Sequence, residues 1–190
     1  MLVFNEIISG LPVASVQATH KVGTVIGPII DPRNLSLPAL YVENRINSNP
    51  LVLFTSDIRS AGRQGLIIDH DEQLMERDGL VRLDEVIALN FELLGKRVET
   101  EDGQRLGKVG RYAFDMLSWQ VMKLYVVQPL AKNFSSTGLI ISRQQVVKVT
   151  DNRIVVKSTA IKANAGFNWR KLLFGASKPA LNPETTQFKK

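Results

Sequence analysis

Two histidines, His20 and His70, and no cysteine occur in the 190 residues. The run Asp69-His70-Asp71-Glu72 carries enough oxygen and nitrogen to hold a divalent cation. Hard cations, however, take ligands spread along a turn, and four consecutive side chains do not wrap one ion. A solvated acidic segment is expected there, and a surface turn position for His20. The absence of cysteine excludes disulfides, thiolate metal sites and thiol nucleophiles. Serines are present, but their positions suggest no Ser/His/acid arrangement. Gly23, Gly27, Gly107 and Gly110 lack the G-x-x-x-x-G-K-[ST] spacing of a phosphate loop and fall inside apolar runs. No catalytic, cofactor-binding or metal-binding set is expected.

Charge is the chemistry that remains. The net charge of +6 is unevenly spread. Residues 1–94 hold 7 Lys and Arg against 12 Asp and Glu, whereas residues 95–160 hold 11 against 5 and residues 161–190 hold 6 against 1. Such polarity serves docking between the halves or attraction of an anionic partner. Within the basic half, Lys96, Arg97, Arg105, Lys108 and Arg111 lie close in sequence, with Tyr112 and Trp119 as stacking faces for a nucleic acid. Alternating cations are equally the wet face of an ordinary strand. A second cluster, residues 167–174, contains Trp169, Arg170, Lys171 and Phe174. It has three readings: a short helix packed on the body, a weak contact with an anionic membrane, or a segment docked in a partner's groove.

These side chains need a frame, and the sequence states that frame twice. Gly23-Thr24-Val25 recurs as Gly107-Lys108-Val109, Asp31 as Asp115, and Leu40-Tyr41-Val42 as Leu124-Tyr125-Val126, all 84 residues apart. Further on the offset becomes 88, where Leu51-Val52-Leu53 matches Leu139-Ile140-Ile141 and Leu66-Ile67-Ile68 matches Ile154-Val155-Val156. A constant offset that changes at one loop is the trace of a duplicated domain. Each copy, of about 70 residues, is near the lower limit for an independent core.

Strand signals dominate both copies. Short runs rich in Val, Ile and Leu, bounded by Gly, Pro, Asn or Asp, occupy residues 22–30, 39–42, 51–54 and 66–68, and again 106–114, 121–127, 139–141 and 153–157. Asp102-Gly103 suits a tight hairpin. Gly62 to Gly65 and Asp151-Asn152 mark the equivalent later turns, and Pro32 and Pro38 bracket a loop. A short helix starting near Asp84 is expected between the copies. The fold expected is all-β: two tandem small barrels at residues 1–70 and 91–160, a partly helical connector at 71–90, and a disordered basic tail at 161–190.

The second copy resembles the PRC-barrel, a small β-barrel of the photosynthetic reaction-centre H subunit and of a bacterial ribosome-maturation factor. The likeness is carried by Leu93-Leu94-Gly95-Lys96-Arg97-Val98, then Glu101-Asp102-Gly103-Gln104-Arg105-Leu106-Gly107-Lys108-Val109, then Phe114-Asp115. The first copy keeps Gly10, Val13, Val22, Gly23, Val25 and Asp31, with Thr19-His20-Lys21 in place of the Asp-Gly hairpin. The resemblance covers about residues 3–158 and implies assembly and adaptor modules without a catalytic set. Read from the residues themselves, Val98, Leu106 and Val109 point inward, and Asp31 and Asp115 bond nearby backbone amides.

The function expected is that of a non-enzymatic adaptor, cytoplasmic or at the inner membrane surface, that binds a protein partner. The alternative is a ribosome- or RNA-associated factor. The N-terminus lacks a cationic segment followed by an apolar run, and the apolar stretches are too short to span a bilayer. The partner-contact candidates are Lys96, Arg97, Arg105, Lys108, Arg111, Trp169, Arg170, Lys171 and Phe174.

Overall fold

A computed structural model describes residues 1–44, 46, 49–77, 80–127 and 138–161. The expected tail and the cluster at 167–174 lie outside the described residues. Strand β1 (Leu2–Phe4) and the single helical turn α1 (Asn5–Ile8) open the chain. The first repeat follows as β2 (Pro12–Ser15), β3 (His20–Asp31), β4 (Ser36–Glu43), β5 (Leu51–Phe54), β6 (Ile58–Gly62) and β7 (Gly65–Ile68). A two-residue strand, β8 (Leu74–Met75), and helix α2 (Val81–Ala88) lead to the second repeat. That repeat is β9 (Arg97–Thr100), β10 (Arg105–Asp115), β11 (Gln120–Val127), β12 (Leu139–Ser142), β13 (Val146–Val149) and β14 (Arg153–Val156). The chain is mostly β. No helix among the described residues is long and apolar enough to cross a membrane.

The repeat read from sequence reappears strand for strand. In the first, the order is β6-β7-β2-β3-β4 with β5 on β4; in the second it is β13-β14-β9-β10-β11 with β12 on β11. The one parallel pairing in each falls at the same place, β2 with β7 and β9 with β14. Bulges recur too, at Val22 and Leu106, at Ile26 and Gly110, and at Arg59 and Val147. A bulge resets the two-residue alternation, so Leu106, Val109, Tyr112 and Phe114 all face inward despite uneven spacing. Gly10 and Gly95 each donate an amide hydrogen bond to the carbonyl of the inward valine, Val25 and Val109.

The hydrogen bonding differs from two separate closed barrels. Both repeats belong to one mixed sheet, joined where Ser36 of β4 pairs with Gln120 of β11. The joint is reciprocal: the amide of Leu37 donates to the Trp119 carbonyl at 2.7 Å, and that of Val121 to the Leu35 carbonyl at 2.9 Å. Trp119 and Val121 stand 84 residues after their counterparts Leu35 and Leu37, so a pseudo-twofold axis passes between the strands. Nor does either repeat close within itself. Among the described residues β12 pairs only with β11 and β13 only with β14, because the 3₁₀ turn Arg143–Gln145 between them redirects the chain. The turn Thr55–Asp57 lies at the equivalent place before β6. The larger of two core clusters draws on both repeats, with Leu40, Leu53 and Ile68 from the first and Phe114, Leu124 and Ile154 from the second.

Local signals held with a few displacements. Asp102-Gly103 turns β9 into β10, with the Gly103 amide donating to the Thr100 carbonyl at 3.0 Å. Helix α2 begins three residues before Asp84, and its Leu83, Val86 and Ile87 pack on Ile29, Ala39 and Val52. Burying that apolar stripe against the sheet, more than the acidic first turn, sets its start. Pro38 stands inside β4, at an irregularity opposite β3, where its missing N–H breaks no regular ladder.

The two aspartates do what short carboxylates do at strand ends. Asp31 accepts from the Arg33 amide at 2.9 Å and from the Arg33 guanidinium at 2.8 Å. Asp115 accepts from the Ser118 amide at 3.2 Å and from the amino group of Met1. The Arg33 hydrogen bond, outweighing burial, holds Asp31 below its ordinary value of 3.8, and the Met1 amino group does the same for Asp115.

Two predictions follow from this frame. Gly107 has φ +135°, and a Cβ at its first-repeat counterpart Gly23 would sit 2.9 Å from the Glu43 carbonyl oxygen. Gly107→Val is expected to cost about 1–3 kcal/mol, read as a lowered urea midpoint; an unchanged midpoint contradicts that placement. A depressed carboxyl pKa adds stability above the unfolded value and loses it as pH falls through the folded value. Urea midpoints should therefore hold steady down to about pH 5 and drop below about pH 4. Asp31→Asn should lower stability at neutral pH and shallow the acid limb.

Candidate functional site

The second repeat presents a cationic outer face. Because β14 pairs in register with β9, and β9 with β10, Arg153, Arg97 and Lys108 stand side by side across three strands. Two residues along, on the same face, Lys148, Val155, Glu99 and Arg105 form a second row across four strands. Strand spacing makes the face about 14 Å wide, and the rows lie about 7 Å apart. Beneath it Val98, Leu106 and Ile154 are buried, so the alternation expected from the sequence places apolar groups inside and cations in water. All five cations are exposed. Glu99 bonds Arg153 at 2.9 Å; among the described residues no ion pair engages Arg97, Arg105, Lys108 or Lys148.

The nine sequence candidates divide. Arg97, Arg105 and Lys108 lie on this face. Lys96 faces elsewhere, with its ammonium on the Asp151 carbonyl and 4.7 Å from the Phe91 ring centre. Arg111 is a brace: it lies 2.7 Å from the Glu6 carboxylate and 3.6 Å from the Phe4 ring centre, its side chain only 15% exposed. It ties β10 to the segment that opens the chain. Trp169, Arg170, Lys171 and Phe174 lie outside the described residues. Lys148 and Arg153 were missed because they reach the face through the parallel β14–β9 pairing, more than 50 residues along the chain. The signal that finds them is the match of Ile154 to Leu66, which carries the first repeat's parallel register across.

No family model matches the chain, and no curated protein matches it. The comparison that bears on the site is internal. At the positions of Arg153, Arg97 and Lys108 the first repeat has Gly65, Pro12 and Thr24. At those of Lys148, Glu99 and Arg105 it has Ser60, Ala14 and Lys21. The same strands in the same register thus fold with one cation there instead of five.

The stacking faces expected from Tyr112 and Trp119 are not available. Tyr112 is 4% and Trp119 8% exposed, and Trp119 stacks on Phe114 with centroids 6.0 Å apart. Burial, reinforced by Glu6, pushes the Tyr112 phenol well above its ordinary value. Among the described residues no three His, Asp or Glu groups are placed to hold a metal. Asp69 instead pairs with Arg59 at 2.6 Å, and the Gln73 side chain accepts from the His70 amide at 2.9 Å. His20 is exposed at the start of β3, its ring 2.6 Å from the Ala18 carbonyl. A solvent-open cavity of about 1000 Å³ lies beside it, with Lys21, Glu43 and Asp71 on its walls.

If Arg111 is structural, Arg111→Ala should lower stability by about 1–2 kcal/mol through the lost ring contact and ion pair. Retention on an anionic resin should stay near that of the unaltered protein. A large loss of retention at unchanged stability would return Arg111 to the binding surface.

Proposed function

We propose that this protein is a non-enzymatic adaptor or assembly protein that binds an anionic macromolecular partner through the outer face of its second repeat. In this reading each repeat is a PRC-barrel-like unit, residues 1–70 and 91–160, joined by the connector at 71–90 and continuing into a basic tail. Support comes from the shared strand order, the hairpin at Asp102-Gly103 and the recurrent bulges. The observation that carries the function is the contrast between the repeats. The fold is built once with Gly65, Pro12, Thr24, Ser60 and Ala14 on that face, so the cations of the second copy are surplus to folding. Like charges crowded on neighbouring strands cost stability. A partner that neutralises them supplies the compensating gain.

The charge asymmetry favours an external partner over docking between the repeats. Where the repeats meet, the polar contacts include the reciprocal backbone bonds at Leu35 and Trp119, the Arg143 guanidinium on the Asn34 carbonyl and the Met1 amino group on Asp115. Among the described residues the side-chain ion pair between the acidic and basic segments is that of Glu6 with Arg111. The five cations of the outer face take no part.

The test is capture from a lysate of the source cells by the immobilised full chain, beside an Arg97→Glu/Lys108→Glu variant. The variant is expected to keep its melting temperature, since both side chains are exposed, and to lose the macromolecules that the unaltered chain retains. Equal retention by both would end the reading.

A further inference from the structure

We propose that the partner at this face is an acidic protein surface of limited extent, and not a polyphosphate chain; this rests on the binding-face reading above. Carboxylates border the cations at two turns, while Lys157 follows β14 beyond Val155 and the Lys96 ammonium lies on the Asp151 carbonyl. Glu101 and Asp102 form the β9–β10 hairpin just beyond the row of Arg105 and Glu99, and Asp151 turns β13 into β14 just before Arg153. Hydrogen bonds from Thr100 and Ser158 hold the Asp102 carboxyl below its ordinary value, so it stays ionised through the neutral range. Across the strands the row passes Lys108 to the uncharged Val127. Among the described residues the two rows between these turns form an island about 14 Å by 7 Å.

A nucleic acid does not stop at such an island. It carries a charge about every 3.4 Å of each strand, so its backbone runs past the cations along β9 and β14 onto Glu101 or Asp151. Glu99 adds a carboxylate inside the patch, already paired with Arg153. Single-stranded RNA would also need stacking platforms, and Tyr112 and Trp119 are buried. An acidic patch on a protein has a finite footprint and can leave the borders uncovered. Three of the five cations are arginines, whose planar forks bind carboxylates through two parallel hydrogen bonds. Bordering charges of the opposite sign then fix register and reject partners that extend too far.

The experiment continues the capture with nuclease treatment, and with an RNA duplex of about 20 base pairs as competitor. What the unaltered chain retains, and the Arg97→Glu/Lys108→Glu variant loses, should be an acidic protein that survives nuclease and resists displacement by the duplex. Direct titration of the duplex supplies a second measurement. Neutralising the border in Glu101→Gln/Asp151→Asn should raise duplex affinity several-fold and change affinity for the captured protein by less than about twofold. Loss of the retained material with nuclease, or its displacement by the duplex, would overturn the acidic-protein assignment while leaving the binding face in place. So would retention of anionic lipid vesicles alone. Equal retention by the unaltered chain and the charge-reversed variant would instead remove the binding face itself.

Discussion

Two residues in left-handed backbone, Leu35 with φ 56° and Trp119 with φ 51°, hold the two repeats in one sheet. Each closes a turn by donating its amide to the aspartate four residues earlier, Asp31 or Asp115, at 2.8 Å. Each then offers its carbonyl to the other repeat. That conformation costs a non-glycine residue about 1–3 kcal/mol. Burial offsets it: a leucine returns about 1.5–3 kcal/mol, and a tryptophan more through its larger area. Leu35 is 3% exposed and Trp119 lies stacked on Phe114. The side chains thus stabilise the turn, and the turn aims the carbonyls across the pseudo-twofold axis. An isologous contact of this kind is what two identical subunits make, here within one chain.

What could be read from the sequence followed from local chemistry. Offsets of 84 and 88 located equivalent strands because inward side chains must keep their places. Asp102-Gly103 marked a hairpin, and Asp31 and Asp115 marked strand ends, because these depend on neighbours a few residues away. The single sheet was not legible. Nothing in the types of Leu35, Ser36, Trp119 or Gln120 announces that their backbones will meet, and hydrophobic patterning is silent about which carbonyl faces which amide. Tyr112 and Trp119 misled for a related reason. An aromatic flanked by cations reads as a stacking face until a bulge at Gly110 resets the alternation and turns Tyr112 inward.

The cationic face was half legible. Arg97, Arg105 and Lys108 share one hairpin, and their proximity is a local fact. Lys148 and Arg153 reach it only because β14 lies parallel to β9, a pairing that needs a long crossover. Residue identity also could not separate Arg97 from Arg111. Both are arginines of the second repeat's first hairpin, yet one stands on the open face and the other is held by Glu6 and Phe4. Sequence proximity grouped them; the β1–β10 pairing parts them.

Duplication gives this molecule its own control. Where the repeats agree, as in Ser15 and Thr100, both buried at the same strand position, folding is the simplest constraint. Where they disagree at matched register positions, as at Arg97 and Pro12 or at Lys148 and Ser60, folding does not dictate the cation. Gly65, with φ +154° and the Pro12 carbonyl close by, is glycine for a backbone reason of its own. The first repeat shows that the pleated surface tolerates glycine, proline and alanine there; the second gathers cations that repel one another. Chance solvation would scatter charge over the exposed strand positions, yet around this face the carboxylates stand at its borders, with Glu99 alone inside and neutralised by Arg153. A charged area with edges is shaped for an object with edges. That geometry ties the sign of the charge to the size of what it meets.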